Sequence, residues 1–117
     1  MLGEREKIYL VNGRTDMRKG IDGLVAVIAE LEGMNVFNEQ ALFLFCGGKK
    51  DRYKALIWEK DGFMLLYKRI ESGRLQWPKE KEDRIEKLSV QQLRWLLEGL
   101  SVIQPRAVEA GQIGHVV

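Results

Sequence analysis

Apolar positions in this chain fall into two periodicities, and the switches between them outline the elements. Lys7-Ile8-Tyr9-Leu10-Val11 reads as a short strand, stopped by the turn pair Asn12-Gly13. A polar stretch from Arg14 to Gly20 follows. Ile21, Leu24, Val25, Ile28 and Leu31 then repeat at helical spacing, predicting an amphipathic helix that Gly33 ends. Thr15 or Asp22 would cap its start. Ala41 to Cys46 is apolar at every position, as in a strand covered on both faces. After the Gly47–Asp51 turn, Tyr53–Trp58 and Phe63–Ile70 alternate as strands, with Asp61-Gly62 marking a hairpin between them. Glu71-Ser72-Gly73 turns the chain into a further expected strand, Arg74 to Trp77, halted by Pro78.

Lys79 to Asp83 is a charged connector, and Arg84–Leu88 has the pattern of a short strand. Ser89 with Gln92 makes a capping box for a second helix. Val90, Leu93, Leu96, Leu97 and Leu100 give that helix an apolar side, and Gly99 closes it. The expected fold class is α+β: an antiparallel sheet of about four to five strands packed against an amphipathic helix, with a second short C-terminal helix. Residues 1–105 read as a single domain and 106–117 as a flexible C-terminal tail.

Length and composition narrow the function. A chain of 117 residues with 45% hydrophobic and 31% charged positions suits one domain with a real core. No apolar run approaches the roughly 20 residues of a membrane span, and the charged opening lacks a signal-peptide stretch. One cysteine, Cys46, forms neither an internal disulfide nor a multi-cysteine metal site, and the one histidine, His115, lies in the tail. A reducing, cytoplasmic compartment is expected, with no cofactor and no metal. Without a histidine in the folded part, histidine acid–base chemistry and Ser-His-Asp arrangements fall away. Asp16, Asp22, Asp51, Glu59 and Asp61 sit where turns and caps normally place carboxylates, so a magnesium-dependent phosphoryl-transfer site is not expected. Cys46, inside an apolar strand, reads as an inert core thiol. No enzyme is predicted.

Net charge is only +2, but its distribution is uneven. Between Gly47 and Pro78 eight basic residues stand against four acidic ones; from Lys79 onward six meet six. A basic middle is a footprint for an anionic partner, or simply a solvated sheet. With simple hairpin register, residue 58 faces 63 and 67 faces 77. One sheet face then carries Lys54, Leu56, Trp58, Phe63, Leu65, Tyr67, Arg69, Leu75 and Trp77. Rings beside cations suit nucleic acid; the same rings also suit a core beneath the first helix, with Lys54 and Arg69 at its rim. Arg18 and Lys19 at a helix start oppose the helix dipole, a placement that presents cations to a phosphate unless Asp16 and Asp22 neutralise them. Trp95 lies off the apolar side of the second helix, either as an anchor for a protein partner or covered by Val102 and Ile103.

Two long runs carry a family resemblance. The first is Tyr9-Leu10-Val11-Asn12-Gly13-Arg14-Thr15-Asp16-Met17-Arg18-Lys19-Gly20-Ile21-Asp22-Gly23-Leu24, and the second is Leu93-Arg94-Trp95-Leu96-Leu97-Glu98-Gly99-Leu100. Between them, Leu42–Cys46, Asp51-Arg52, Lys54, Trp58, Gly62-Phe63, Tyr67-Lys68-Arg69, Gly73-Arg74 and Trp77-Pro78 keep the same order. From Ile8 to Pro105 the chain resembles the accessory protein TnpB of insertion-sequence-sixty-six-type elements, which is unrelated to the RNA-guided nuclease of that name. Leu75 departs from the phenylalanine frequent in the family. The resemblance implies a non-enzymatic factor encoded beside a separate transposase and needed for transposition, and it supplies no catalytic residues. The expected function is binding of DNA, at element ends, or of the transposase–DNA complex, in the bacterial cytoplasm at the nucleoid. Arg18, Lys19, Arg52, Lys54, Lys68, Arg69 and Arg74 are the candidate phosphate contacts. The alternative is a module docking on the transposase through Trp95 without touching DNA.

Overall fold

The computed structural model describes residues 7–31, 33–37 and 41–104. Five strands, β1 (Lys7–Val11), β2 (Ala41–Cys46), β3 (Arg52–Glu59), β4 (Gly62–Arg69) and β5 (Ile85–Leu88), join two helices, α1 (Ile21–Ala29) and α2 (Val90–Leu97). The strands make one sheet in the order β4-β3-β2-β1-β5. Three of its pairings are antiparallel, so the fold is α+β with a mostly antiparallel sheet. The exception is β1 with β2, which run parallel. A parallel pair needs a crossover rather than a tight turn, and α1 lies in that crossover.

Because β2 is central, its unbroken apolar run has two destinations. Leu42, Leu44 and Cys46 join Leu93 and Leu96 of α2 in one core layer. Ala41, Phe43 and Phe45 join Leu24 and Ile28 of α1 in the other. The helices therefore cover opposite faces of the sheet. α1 ends at Ala29, short of Leu31, and Gly33 takes φ +78° in the turn beyond. Gly20 is its N-cap with no side-chain hydrogen bond, so neither Thr15 nor Asp22 serves as cap. At α2 the expected capping box is present: Gln92 N–H donates to Ser89 Oγ at 3.0 Å, and Ser89 N–H to Gln92 Oε1 at 2.9 Å. Gly99 closes α2 at φ +83°, while Leu100 escapes the apolar side and is exposed.

The β3–β4 hairpin has the expected register, with Trp58 opposite Phe63. Glu59 pairs with Gly62, leaving Lys60 and Asp61 as the loop, with Lys60 in the left-handed region at φ +52°. The strand expected at Arg74–Trp77 does not form, and Tyr67 faces Lys54 instead of Trp77. After a turn at Gly73, Leu75 N–H donates to the Lys50 carbonyl at 2.7 Å and the segment runs beneath the α2 face. Leu75 and Trp77 are buried there, whereas Leu56, Phe63 and Leu65 pack on the α1 side. Burial under α2, together with a 2.9 Å hydrogen bond from Trp77 Nε1 to the Val11 carbonyl, outweighs extension of the sheet at β4. The Asn12-Gly13 turn holds the charged connector that follows. Asn12 N–H donates to the Arg84 carbonyl, its Nδ2 to the Asp83 carbonyl, and Gly13 N–H to the Pro78 carbonyl. The tail expected at 106–117 lies outside the described residues.

Trp77→Phe removes the indole donor and strands a buried carbonyl, so it lowers stability by about 1–3 kcal/mol. Leu96→Ala costs about 2–5 kcal/mol. Both are read as lowered urea midpoints with unchanged slope.

Candidate nucleic-acid interface

Parallel pairing sends the chain out of β1 and β2 at the same end of the sheet. The loop after β1 and the turn after β2 meet there, joined by Thr15 N–H donating to the Cys46 carbonyl at 2.8 Å. Contact is close: a Cβ on Gly47 would lie 2.8 Å from Met17 Cγ. Between the two loops opens a cleft of about 480 Å³ lined by Arg14, Thr15, Asp16, Met17, Gly47, Gly48, Lys49, Asp51 and Arg52. Arg14 and Lys49 in this lining were not among the candidates read from sequence.

Strand alternation decides which neighbouring cations join this end. Leu56 of β3 and Phe63 and Leu65 of β4 point to the α1 side. Arg52 and Lys54 on β3, and Tyr67 and Arg69 on β4, share that parity and face. Arg52 stands directly opposite Arg69, and Lys54 opposite Tyr67. Lys54 Nζ donates to the Lys19 carbonyl at 2.8 Å and lies 5.5 Å from the centre of the Tyr67 ring. Lys19 itself folds over the first turn of α1, where a Cβ on Gly23 would meet Lys19 Cβ at 3.0 Å. Arg52, Lys54 and Arg69 are thus brought together around Tyr67, with the Lys19 backbone beside Lys54 and Arg18 on the adjoining loop. Lys68 has the opposite parity and points to the α2 side. Arg74 lies in the loop after β4, its carbonyl 3.7 Å from where a Gly99 Cβ would be. The fold brings neither to the shared face.

Each arginine of the face has its own carboxylate. Arg18 binds Asp16 through Nε and Nη2, Arg52 binds Asp51 through Nε at 3.0 Å, and Arg69 binds Glu71 through Nε at 2.7 Å. The Arg18 side chain and backbone N–H hold the Asp16 carboxyl at about 2, well below the ordinary 3.8. Arg52 hydrogen-bonds Asp51, lowering that carboxyl, and Glu71 raises Arg69. The Arg18 side chain is 90% exposed. A pair this open to water holds weakly, so a phosphate can exchange for the carboxylate there and at the exposed Arg69–Glu71 pair, whereas Arg52–Asp51 is about two-thirds shielded. Arg14, Lys19, Lys49 and Lys54 form no ion pair among the described residues. The end as a whole keeps more positive than negative groups.

Elsewhere the signals are of other kinds. Trp95 is partly buried and belongs to neither core layer; Val102 is buried near α2, but Ile103 is 67% exposed. At the hairpin end, Trp58 and Phe63 form with Phe37 a cluster of rings 5.0 to 5.7 Å apart, and Phe37 is exposed. Burial pushes the Cys46 thiol up to about 11, leaving it un-ionised at neutral pH. Among the described residues no three His, Cys, Asp or Glu side chains gather as metal ligands, and no helix is long and apolar enough to cross a membrane.

Comparison with known proteins sets the class. Residues 6–107 match the family model described as IS66 Orf2-like protein, which makes this chain an accessory protein of transposition. It belongs to the IS66 Orf2-like family of insertion-sequence proteins, as its motifs implied. It is 30% identical over 104 residues to the uncharacterized protein y4hO of Sinorhizobium fredii, covering 89% of each chain. With y4jC of the same organism it shares 27% over 94 residues, covering 80% of this chain and 79% of that one. No solved structure matches the chain.

The Asp16–Arg18 pair gives a direct titration test. Its carboxyl sits below the ordinary value, so the pair is fully formed above pH 3.8 and is lost as pH falls through about 2. Carboxyl resonances followed by NMR should place the Asp16 midpoint near 2 and return it toward 3.8 in Arg18→Ala.

Proposed function

We propose that this accessory protein binds DNA, with the α1-side face at the ends of β1 and β2 as its contact surface. One observation carries the reading: Arg52 and Arg69 stand directly opposite each other on neighbouring strands, beside Lys54 and Lys19. Asp51 and Glu71 partner these two arginines in the free protein, while Lys19 and Lys54 beside them have no carboxylate partner among the described residues, so the face keeps a net positive charge. A polyanion meets that net charge directly and competes with the two carboxylates for the guanidinium groups. Lys19, Arg52, Lys54 and Arg69 meet phosphate oxygens, with Arg18 and the cleft residues Arg14 and Lys49 extending the track. Tyr67, 53% exposed among these cations, supplies a ring on which a base or sugar packs. Phosphate contacts fix position without reading sequence, so recognition of element ends, on this reading, comes from the transposase or from the shape of the DNA.

Fluorescence anisotropy with labelled element-end duplex, at two or more salt concentrations, tests the assignment. Affinity falls as salt rises. Arg52→Ala and Lys54→Ala each weaken binding and reduce the salt slope by about 1. Lys68→Ala and Arg74→Ala, being off the face, leave the slope unchanged. If the protein instead docks on the transposase without DNA contact, there is no binding even at low salt, and Trp95→Ala abolishes co-purification with the transposase.

A further inference from the structure

We propose that the cleft between the loop after β1 and the turn after β2 seats one unpaired nucleotide of a DNA strand, its phosphate between Arg14 and Lys49 and its base against Met17. This assignment deepens the DNA-binding reading above and rests on it. Size comes first. The cleft measures about 480 Å³. That is far more than a phosphate group fills, and it falls within the roughly 300–1,000 Å³ of sites that enclose small ligands. A duplex presents its phosphates on a convex surface and keeps its bases stacked inside. Only a nucleotide out of the stack can place both phosphate and base in a recess.

The two walls of the cleft each carry a cation. Arg14 belongs to the loop after β1 and Lys49 to the turn after β2. Arg14 reaches across to the opposite wall, its Cδ and Nη1 lying 3.4 and 3.8 Å from where a Gly48 Cβ would be. Both side chains are exposed, and neither has a carboxylate partner among the described residues. Arg18, Arg52 and Arg69 each have one. An anion is what Arg14 and Lys49 lack.

The remainder of the lining does not suit a bare phosphate. Asp16 and Asp51 repel an anion, yet a carboxylate accepts hydrogen bonds from the N–H groups on a base edge. Both are already fixed in place, Asp16 by Arg18 and Asp51 by Arg52. Met17 packs against the α1-side core and presents a polarizable thioether, which is favourable against an aromatic ring. Phosphate, base edge and base face thus each meet a group of matching chemistry. Arg52 is shared by the cleft and the basic face, so a duplex lying on that face delivers a strand end or a displaced base to the recess.

Fluorescence anisotropy at low salt, on three duplexes of one length, tests the assignment. One is blunt, one has a single-nucleotide overhang, and one is closed at both ends with a one-nucleotide bulge. The expected gain over the blunt duplex is about tenfold, the modest end of what stacking a single base supplies. Overhang and bulge tell a strand end from an internal unpaired base. Arg14→Ala and Gly48→Leu should each bring the ratio to about one. Gly48 does not use the left-handed region, so its backbone admits the leucine, which occupies the recess. Lys68→Ala, on the other side of the sheet, should keep the ratio. Equal affinity for all three duplexes, or a gain that survives both cleft variants, overturns the cleft assignment and leaves the basic face standing. No binding of any duplex overturns both readings.

Discussion

Parallel pairing of β1 with β2 is the constraint from which the rest of the molecule follows. It requires a crossover, and α1 within that crossover covers one face of the sheet. It makes β2 a central strand, which must be apolar on both faces, and so leaves a second face for α2 and the Leu75–Trp77 segment to bury. It also brings the loop after β1 and the turn after β2 to one end, tied by the Thr15–Cys46 hydrogen bond. In open sheets with parallel strands, ligands meet the protein beyond the carboxyl ends of such strands. The basic face here occupies the corresponding place.

Charge on that face is arranged to survive folding without a partner. Arg18, Arg52 and Arg69 each have a carboxylate one or two residues away in sequence, so the free protein does not hold a bare cluster of guanidinium groups. Lys54 is steadied by the Lys19 carbonyl and the Tyr67 ring rather than by a carboxylate. The exposed pairs at Arg18 and Arg69 hold their side chains in place and release them at little cost, while the part-buried Arg52–Asp51 pair holds more firmly. Cations that are paired locally and still gathered on one face are compatible with reversible attachment to a polyanion, a looser arrangement than a pocket preformed for one small molecule.

Much of the fold was legible in the sequence because each element buries a face of its own. The bounds of β1 and β2, the Trp58–Phe63 hairpin register and the Ser89–Gln92 capping box follow from period, turn residues and hydrogen-bonding chemistry within a few positions. Long-range choices did not. Leu75 and Trp77 alternate like a strand, yet alternation alone does not say whether a segment adds to an edge or slides under a helix; the indole bond to Val11, 66 residues away, decides it. The strand–helix–strand order of β1, α1 and β2 was itself a sign of parallel pairing, and it would have placed Arg14 and Lys49 beside Arg52. Lys68 illustrates the period of two: a neighbour of Tyr67 and Arg69 in sequence, it points to the other face.

NMR shift perturbation of the isotope-labelled chain, titrated with duplex DNA at low salt, tests the basic face most directly. The account predicts that the shifted amides concentrate in residues 14–19 and 47–54 and near 67–69, leaving α2 and Trp95 undisturbed. Shifts centred on α2, or none at all with binding absent, would contradict it.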